Sequence, residues 1–501
     1  MSDTPANQQL DQPKHDAHET LFPKLPYNMK PRADEAVKNI QLQQFVNSTT
    51  VLKDNSRKQT LEKTFGHKTT AVRDLAGKIK QHTLDHLDHY LEQFIENAEK
   101  TGIKVHFAKD AKQARDIGAA IAKSIDAKLC VKSKSMVTEE IQLLDALESV
   151  GCTTVETDLG EFIIQLDNDA PSHIVTPMIH KNRVSVAKAF ERELGAEYTE
   201  DPETLTKIAR EHLRSKYHQA DLGISGGNFL VAETGSVVIC TNEGNGRLST
   251  SAPKTHIAFV GIEKLIPRQE HLAVMLKVLT RSSTGQPLTC YTHIMTGPKR
   301  PEELDGPEDM HIVLVDNGRT EVLKPENREM LRCIRCGACL NACPVYRKVG
   351  GHAYGSVYPG PIGALLTPVF KGLNNYPDLP NASSLCGACY EACPVRINIP
   401  RHLIRLREEM VKRNIAKKGE RFLMRQWAKA LRSPFKYKLS NTAQRFMLRL
   451  KGKASQSNNV YQNRKWLHKA PGPAKGWTSQ KDLPSPTSKD FRNWWNSQNR
   501  K

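Results

Sequence analysis

Seven cysteines lie in two copies of one short loop, and this repeat limits what the 501-residue chain can build more than any other feature of it. The first copy reads Cys333-Ile-Arg-Cys336-Gly-Ala-Cys339-Leu-Asn-Ala-Cys343-Pro344. Two, two and three residues separate the cysteines and a proline closes the run, which is the bacterial iron–sulfur spacing. Three thiolates on a tight loop can cap three corners of a cubane, while the fourth, already leaving on a helix, points toward a second cluster. Gly337 admits backbone close to the inorganic sulfurs, where amides of the loop can donate to them. Structural zinc rarely uses such a run.

The second copy reads Ser383-Ser-Leu-Cys386-Gly-Ala-Cys389-Tyr-Glu-Ala-Cys393-Pro394, with Ser383 in the place of Cys333. Crossed ligation as in two-cluster ferredoxins assigns Cys333, Cys336, Cys339 and Cys393 to cluster one, and Cys343, Cys386 and Cys389 to cluster two. Two [4Fe-4S] clusters are expected, the second one thiolate short. Its fourth iron is held by Ser383, a distant side chain or solvent, or is absent, leaving [3Fe-4S]. The spacer Val345 to Ala382 is long, and the segments after each closing proline, including Ile397 to Met410, read as helical. An all-helical ferredoxin follows, with the passage Gly350 to Pro361 either wrapping a cluster or meeting a partner or substrate.

Length gives a prior of two to four domains at about 150 residues each. No stretch approaches the roughly 18 apolar residues of a membrane span. Met1 to about Tyr27 lacks a secretory core and reads as a disordered lead-in, and eleven cysteines without an export signal argue for metal ligation in the cytoplasm. The expected order is a disordered or extended lead over 1–68, an α/β domain over 69–297, a linker with one strand over 298–330, the helical ferredoxin over 331–414 and a basic C-terminal region over 415–501.

Within the α/β part, Leu75, Ile79, Leu84, Leu87, Leu91 and Ile95 predict one long amphipathic helix over 69–100, with His82, His86 and His89 on its solvated face. Alternating strands and helices follow: Ile103 to Phe107, Lys128 to Lys132 and Thr153 to Glu156 as strands, then helices over Lys181 to Leu194 and Pro202 to Ala220. Gly223 to Ser225, Phe229 to Val231, Ser236 to Thr241, His256 to Val260 and Leu288 to Met295 read as further strands. His311 to Asp316 is the strand of the linker. Parallel strands with covering helices are the architecture such alternation builds. Glu233, Glu243 and Arg247 lie in Gly- and Asn-rich turns at strand ends, where α/β sheets place ligands, and are the candidate catalytic residues; Arg247 suits a carboxylate. Cys130, Cys152, Cys240 and Cys290 read as small buried core residues. The absence of a Gly-rich dinucleotide fingerprint argues against a nicotinamide cofactor.

The net charge of +19 belongs to the tail: residues 401–501 carry 26 Lys and Arg against 5 Asp and Glu, or +21, which leaves −2 for the rest. Phe422, Leu423, Trp427, Ala430 and Leu431 alternate there with Arg421, Arg425, Lys429 and Arg432, a basic amphipathic helix suited to an anionic membrane or an acidic partner. From Gly452 the chain reads as loosely ordered, with Trp466, Trp477, Trp494 and Trp495 as candidate anchors. Nucleic acid is the weakest candidate partner, since no zinc-finger or RNA-recognition signature is present.

The chain resembles the lactate utilisation protein B family, iron–sulfur subunits of a bacterial three-protein system that oxidises L-lactate to pyruvate. The resemblance rests on Glu156-Thr-Asp-Leu-Gly-Glu161, Pro171-Ser-His173, Ala232-Glu-Thr-Gly235, Glu243-Gly-Asn245, Leu331 to Cys339, Gly350-Gly-His-Ala-Tyr-Gly-Ser356 and Ser383 to Cys389. It implies a lactate-utilisation domain over about 70–297 with the sugar-isomerase and CoA-transferase (NagB/RpiA-like) type of α/β fold, then a helical ferredoxin. It also implies two partners, a cysteine-rich subunit resembling heterodisulfide reductase and a stand-alone lactate-utilisation-domain protein. Electrons from lactate would pass singly through the clusters toward a membrane acceptor. Two alternatives stay open: an α/β domain that is itself the 2-hydroxy-acid catalyst, with Glu233 or Glu243 as base, and a cluster-bearing sensor that binds nucleic acid through its tail.

Overall fold

The computed structural model describes residues 17–415, 418–454, 465–470, 472–479, 481–487 and 491–498. They form two compact units that divide after Ile415.

The first unit is built on ten strands: β1 (Lys104–Ala108), β2 (Leu129–Lys132), β3 (Thr153–Glu156), β4 (Leu222–Ser225), β5 (Phe229–Val231), β6 (Ser236–Thr241), β7 (Thr255–Gly261), β8 (Leu265–Ile266), β9 (Tyr291–Met295) and β10 (Asp309–Val315). Six of them make a parallel sheet in the order β1-β10-β7-β4-β2-β3. Its central strands are buried along their length, β7 at every residue, as expected of a parallel sheet covered on both faces. The run of strands read from Gly223 onward therefore divides between two sheets. β8, β5, β6 and β9 form a smaller mixed sheet, in which β5 and β6 make a hairpin. Gly235 closes that hairpin at φ 66°, and a Cβ there would lie 2.3 Å from the backbone nitrogen of Ala98.

Three expectations need correction. The strand read as part of a linker is β10, paired in parallel with β1 and β7 at the middle of the sheet, so the α/β domain continues to Val315. The prolines at 298, 301 and 307 disguised a crossover as a tether. The expected helix over 69–100 is two helices, Thr69–Asp85 and Leu87–Lys100, which meet at His86. They serve different cores: Ala76 and Ile79 pack toward the cysteine module, whereas Phe94 and Ala98 pack on the sheets. The expected lead over 1–68 is helical from Ala17 on, and residues 1–16 lie outside the described residues. Asn28 and Asn39 cap Met29–Ala36 and Ile40–Phe65 by accepting hydrogen bonds from Lys30 N and Leu42 N.

The cysteine module, Arg328 to Lys412, contains only helices and turns. The helix Ile40–Phe65 packs against its segments Ala338–Ala342 and Tyr346–Val349.

In the second unit, helices Lys418–Leu431 and Pro434–Lys451 expose Phe422, Trp427, Leu431, Phe435 and Phe446. The part expected to be loose includes a three-stranded antiparallel sheet of two- and three-residue strands and the helix Phe491–Gln498, which carries exposed Trp494 and Trp495. Among the described residues no helix is long and apolar enough to cross a membrane.

Candidate metal centre

Both cysteine loops adopt one backbone. Arg335 and Leu385, each just before a cysteine, have left-handed φ of 60° and 57°, and Gly337 and Gly387 after it have 75° and 85°. A short helix follows each loop, Ala338–Ala342 and Ala388–Ala392, and the two pack together. Cys343 and Cys393 leave on extended backbone, where Tyr346 N and Ile397 N donate to their sulfurs at 3.4 and 3.3 Å.

The charge that each thiol would feel from the others on ionising shows which sulfurs are neighbours. Cys336 feels Cys393 and Cys333, and Cys393 feels Cys333; Cys339 feels these three together with Cys389. Cys343 feels Cys386, and Cys389 feels Cys343 and Cys386. One sulfur of each copy has thus crossed to the other's group, and Cys339 with Cys389 brings the groups side by side. Burial pushes the Cys336 and Cys389 thiols up to about 12 and Cys393 up to about 11, so thiolates at these places call for a metal to stabilise them. All seven are free thiols. This donor set suits iron–sulfur clusters in number, chemistry and loop conformation.

Residues outside the motif fix the arrangement. Arg73, on Thr69–Asp85, donates to the carbonyl of Cys393 through Nε at 3.1 Å and Nη2 at 2.7 Å, and to that of Glu391 at 2.6 Å. His173 accepts from Val175 N and Thr176 N at Nδ1 and pairs with Asn341 through Nε2 at 3.1 Å. Ser172 receives Tyr346 Oη on its carbonyl at 2.6 Å and Gly351 N on its hydroxyl at 3.0 Å. The passage from Gly350 is therefore packed into the protein as a wrap for the thiols: Tyr354 is wholly buried and feels Cys343, Cys339 and Cys389. A wholly buried network extends this weld. Arg319 donates to Glu140 at 2.9 and 3.0 Å and to Glu263 at 2.5 Å; Glu263 also receives Arg335 at 3.2 Å, and Tyr358 donates to Glu140. Burial alone would raise Glu263, but the charges of Arg319 and Arg335 hold it down to about 2. Sequence reasoning missed these connectors because single polar residues carry no periodicity; a Ser-His pair between buried segments was the available signal.

The three carboxylate and arginine candidates do not form one site. Glu233 precedes β6 and Glu243 follows it, and six extended residues span roughly 20 Å. Glu233 accepts from Gln269 N at 2.9 Å, capping the helix Gln269–Ser283. Arg247 is exposed on Asn245–Ser251, a helix where a turn was expected. Glu243 alone lines a cavity of about 280 Å³, which also reaches Cys336. Of the remaining cysteines, Cys130 and Cys152 are buried as expected; Cys240 is half-buried on the cavity wall, and Cys290 is exposed beside the edge strand β9.

The comparisons with known proteins agree with this architecture. A LUD domain matches residues 91–315, a 4Fe-4S dicluster domain residues 329–397, and the C-terminal domain of lactate utilisation protein B residues 405–500. Lactate utilization protein B of Bacillus cytotoxicus is 46% identical over 424 residues, covering 84% of this chain and 87% of the relative. The proteins of that name from Oceanobacillus iheyensis and Shouchella clausii are each 45% identical over the same length and the same shares of both chains. The chain belongs to the lactate utilisation protein B family. A solved structure of a DUF162 family protein from Deinococcus radiodurans is similar over 46% of this chain and 98% of its own, at 13% identity and a TM-score of 0.26. For this family member, the dicluster match covers both loops and all seven cysteines, so iron–sulfur clusters are the cofactor that the domain carries.

Proposed function

We propose that this protein is the iron–sulfur electron-transfer subunit of a multi-protein system that oxidises L-lactate to pyruvate. The observation that carries the reading is the crossing of Cys343 and Cys393 between the two thiol groups. Cys333, Cys336, Cys339 and Cys393 would hold cluster one, and Cys343, Cys386 and Cys389 cluster two. When bound, the clusters accept and release electrons singly. The chain's own part is to hold them side by side and to exclude water from one of them. Arg73 pins the Cys393 turn, and Lys80, wholly buried and near Cys333, donates to the carbonyls of Glu263 and Leu265, burial lowering its ammonium to about 7. The relatives' name supplies lactate; the stand-alone LUD-domain protein and the cysteine-rich, heterodisulfide-reductase-like subunit are the partners expected to supply and receive electrons. The sugar-isomerase and CoA-transferase type of fold is proposed for the α/β domain on its parallel sheet alone. The basic, aromatic helices of the second unit fit peripheral contact with an anionic membrane on its cytoplasmic side.

Anaerobic purification with iron, sulfide and electron paramagnetic resonance analysis tests the reading. About eight irons with a coupled reduced spectrum indicate two cubanes, about seven with a signal in the oxidised state indicate a three-iron second site, and about four indicate one cluster. Adding lactate together with both partners should reduce the clusters, and lactate with this chain alone should not. A colourless oxygen-free protein, or lactate turnover by the isolated chain, would overturn the carrier assignment.

A further inference from the structure

The cavity beside Cys336 is built where α/β sheets bind ligands. Ser133 follows β2, Asp158 follows β3, Gly226 follows β4 and Lys264 follows β7, so four parallel strands direct their carboxyl ends toward one space. The cysteine module supplies the remaining wall through Arg335, Cys336 and Tyr358.

One cation in that wall, Lys264, is not held in an ion pair among the described residues, and a second, Arg335, is paired with Glu263 through one end of its guanidinium only. Lys264 is 7% exposed, and among the described residues its ammonium has no hydrogen-bond or ion-pair partner; burial lowers it to about 8, with Glu263 and Cys333 the charges that favour its protonated form. Glu263 beside it is already taken by Arg319 and Arg335. Arg335 lies 4.5 Å over the Tyr358 ring, and its Nη1 is buried with no partner. An unpaired charge in such a place is costly and calls for a counter-charge. Cluster one answers only part of this demand. Lys80 lies as near Cys333, yet its ammonium is spent on two backbone carbonyls and it does not line the cavity. Lys264 lines the open space, where a soluble anion can reach it. Glu243 lines the same cavity from an exposed turn, where its carboxylate accepts a hydrogen bond from Leu159 N at 3.2 Å; partial loss of solvent and the charge of Asp158 raise it to about 6, a carboxyl able to accept a proton from a ligand hydroxyl or, protonated, to donate to an oxo oxygen.

We propose that this cavity binds a small carboxylate bearing an adjacent hydroxyl or oxo group, its carboxylate on Lys264 and Arg335 and its second oxygen toward Glu243, against the Cys336 side of cluster one. The site deepens the carrier reading and rests on it only in that Cys336 holds a cluster. A bound anion so close to the cluster disfavours its reduced, more negative state, and the reduction potential of cluster one falls.

The test uses the full chain purified without oxygen. L-Lactate, pyruvate, acetate and inorganic phosphate are titrated calorimetrically, and the resonance spectrum of the dithionite-reduced protein is recorded with and without pyruvate. Lactate or pyruvate should bind saturably, acetate at least tenfold more weakly, and the spectrum of one cluster should shift. Lys264→Gln should weaken binding at least tenfold at unchanged iron content, and Lys264→Arg should retain it. Absence of saturable binding to the iron-replete chain, equal affinity in Lys264→Gln, or phosphate binding more tightly than either acid would overturn the site. Should Lys264→Gln not fold, Ser133→Ala on the same wall replaces it, and wild-type affinity for pyruvate there counts against the site. A protein that holds no iron yet binds pyruvate would keep the site and remove the carrier reading.

Discussion

Gly337 and Gly387 occupy the same place in the two cysteine loops with nearly the same left-handed φ, yet a methyl group on the first would strike Val175 and His173 at 3.1 and 3.2 Å, while on the second it would meet nothing within 4 Å. The contrast runs through both sites. Around the first site lie Lys80, Arg335 and the Arg319 network, with Cys336, Cys339 and Cys393 buried and Cys333 half-buried. At the second site Cys343 and Cys389 are buried as well, but Cys386 is exposed and Ser383 half-buried. One motif thus gives one backbone twice, and the part of the chain packed over it decides how far its thiols are exposed. Burial and nearby charge set a cluster's potential, so clusters held by two such nearly identical loops would differ in potential.

Crossing is the largest claim to break. Cys393→Ser should abolish the spectrum of the buried cluster, although its other three thiols all come from the first loop, and iron should fall by about half or more. Cys386→Ser should leave the buried cluster's spectrum intact. Iron analysis and paramagnetic resonance on the two variants decide it: equal retention of the buried signal in both would mean that each loop serves its own cluster.

Next is the network that distinguishes the first site. Arg319→Met leaves Glu140 and Glu263 as buried carboxylates without their main cation, a loss of about 3–5 kcal/mol in stability. Urea unfolding measures it. Because Arg335 and Tyr358 are joined to this network, whereas among the described residues the second loop is held by Arg73 and Arg407 through backbone carbonyls, chelator should extract iron from the buried cluster faster than in the unchanged protein, with the exposed cluster released at its former rate. Equal acceleration of both would show that the network supports the whole module and not one half of it.

In the unchanged protein the exposed cluster should be lost first, several-fold faster, when air or a ferrous chelator is admitted. Rapid-freeze spectra that follow each signal separately check the order, and the reverse order would contradict the assignment of Cys386 to a solvent-facing corner.

How far these differences could be read from the chain follows from what kind of signal each residue leaves. Cysteine spacing is a local code, and it announced both loops before any fold was known. β7 and β10 declared themselves as apolar runs, but the place of β10 between β1 and β7 did not, since pairing across two hundred residues leaves no local trace and the flanking prolines imitate a tether. The helix Ile40–Phe65 escaped notice because its buried face contains Thr50, Asp54 and Arg57 beside Val46 and Leu61. Those polar residues are buried because Arg57 donates to Asp54 at 2.7 Å, a pairing that hydrophobic periodicity cannot reveal. Glu233 and Glu243 were read together as neighbours in sequence, and the strand between them drove them apart. Lys264 was missed altogether: a lysine beside a glutamate reads as surface, and only the fold shows that the glutamate is engaged elsewhere.

The smallest change tests the defect itself. Ser383 stands where the first loop has Cys333, and its hydroxyl accepts a hydrogen bond from Leu385 N at 3.1 Å. Arg407 holds the preceding turn through the carbonyl of Pro380 at 2.9 Å, and Leu385 already has the left-handed φ of its counterpart Arg335. Ser383→Cys therefore introduces a thiol on a backbone prepared for one, at a half-exposed position where replacement alters stability by about 0.5 kcal/mol or less. If the second site holds three irons, the variant should gain about one iron per chain and lose its oxidised-state resonance signal. If it already holds four with an oxygen ligand, iron content should stay constant while the signal of the exposed cluster alone shifts, because thiolate replaces oxygen at one corner. A variant matching the parent in both iron and spectrum would place Ser383 away from that corner, and the two loops would then be alike in backbone without being alike in ligation.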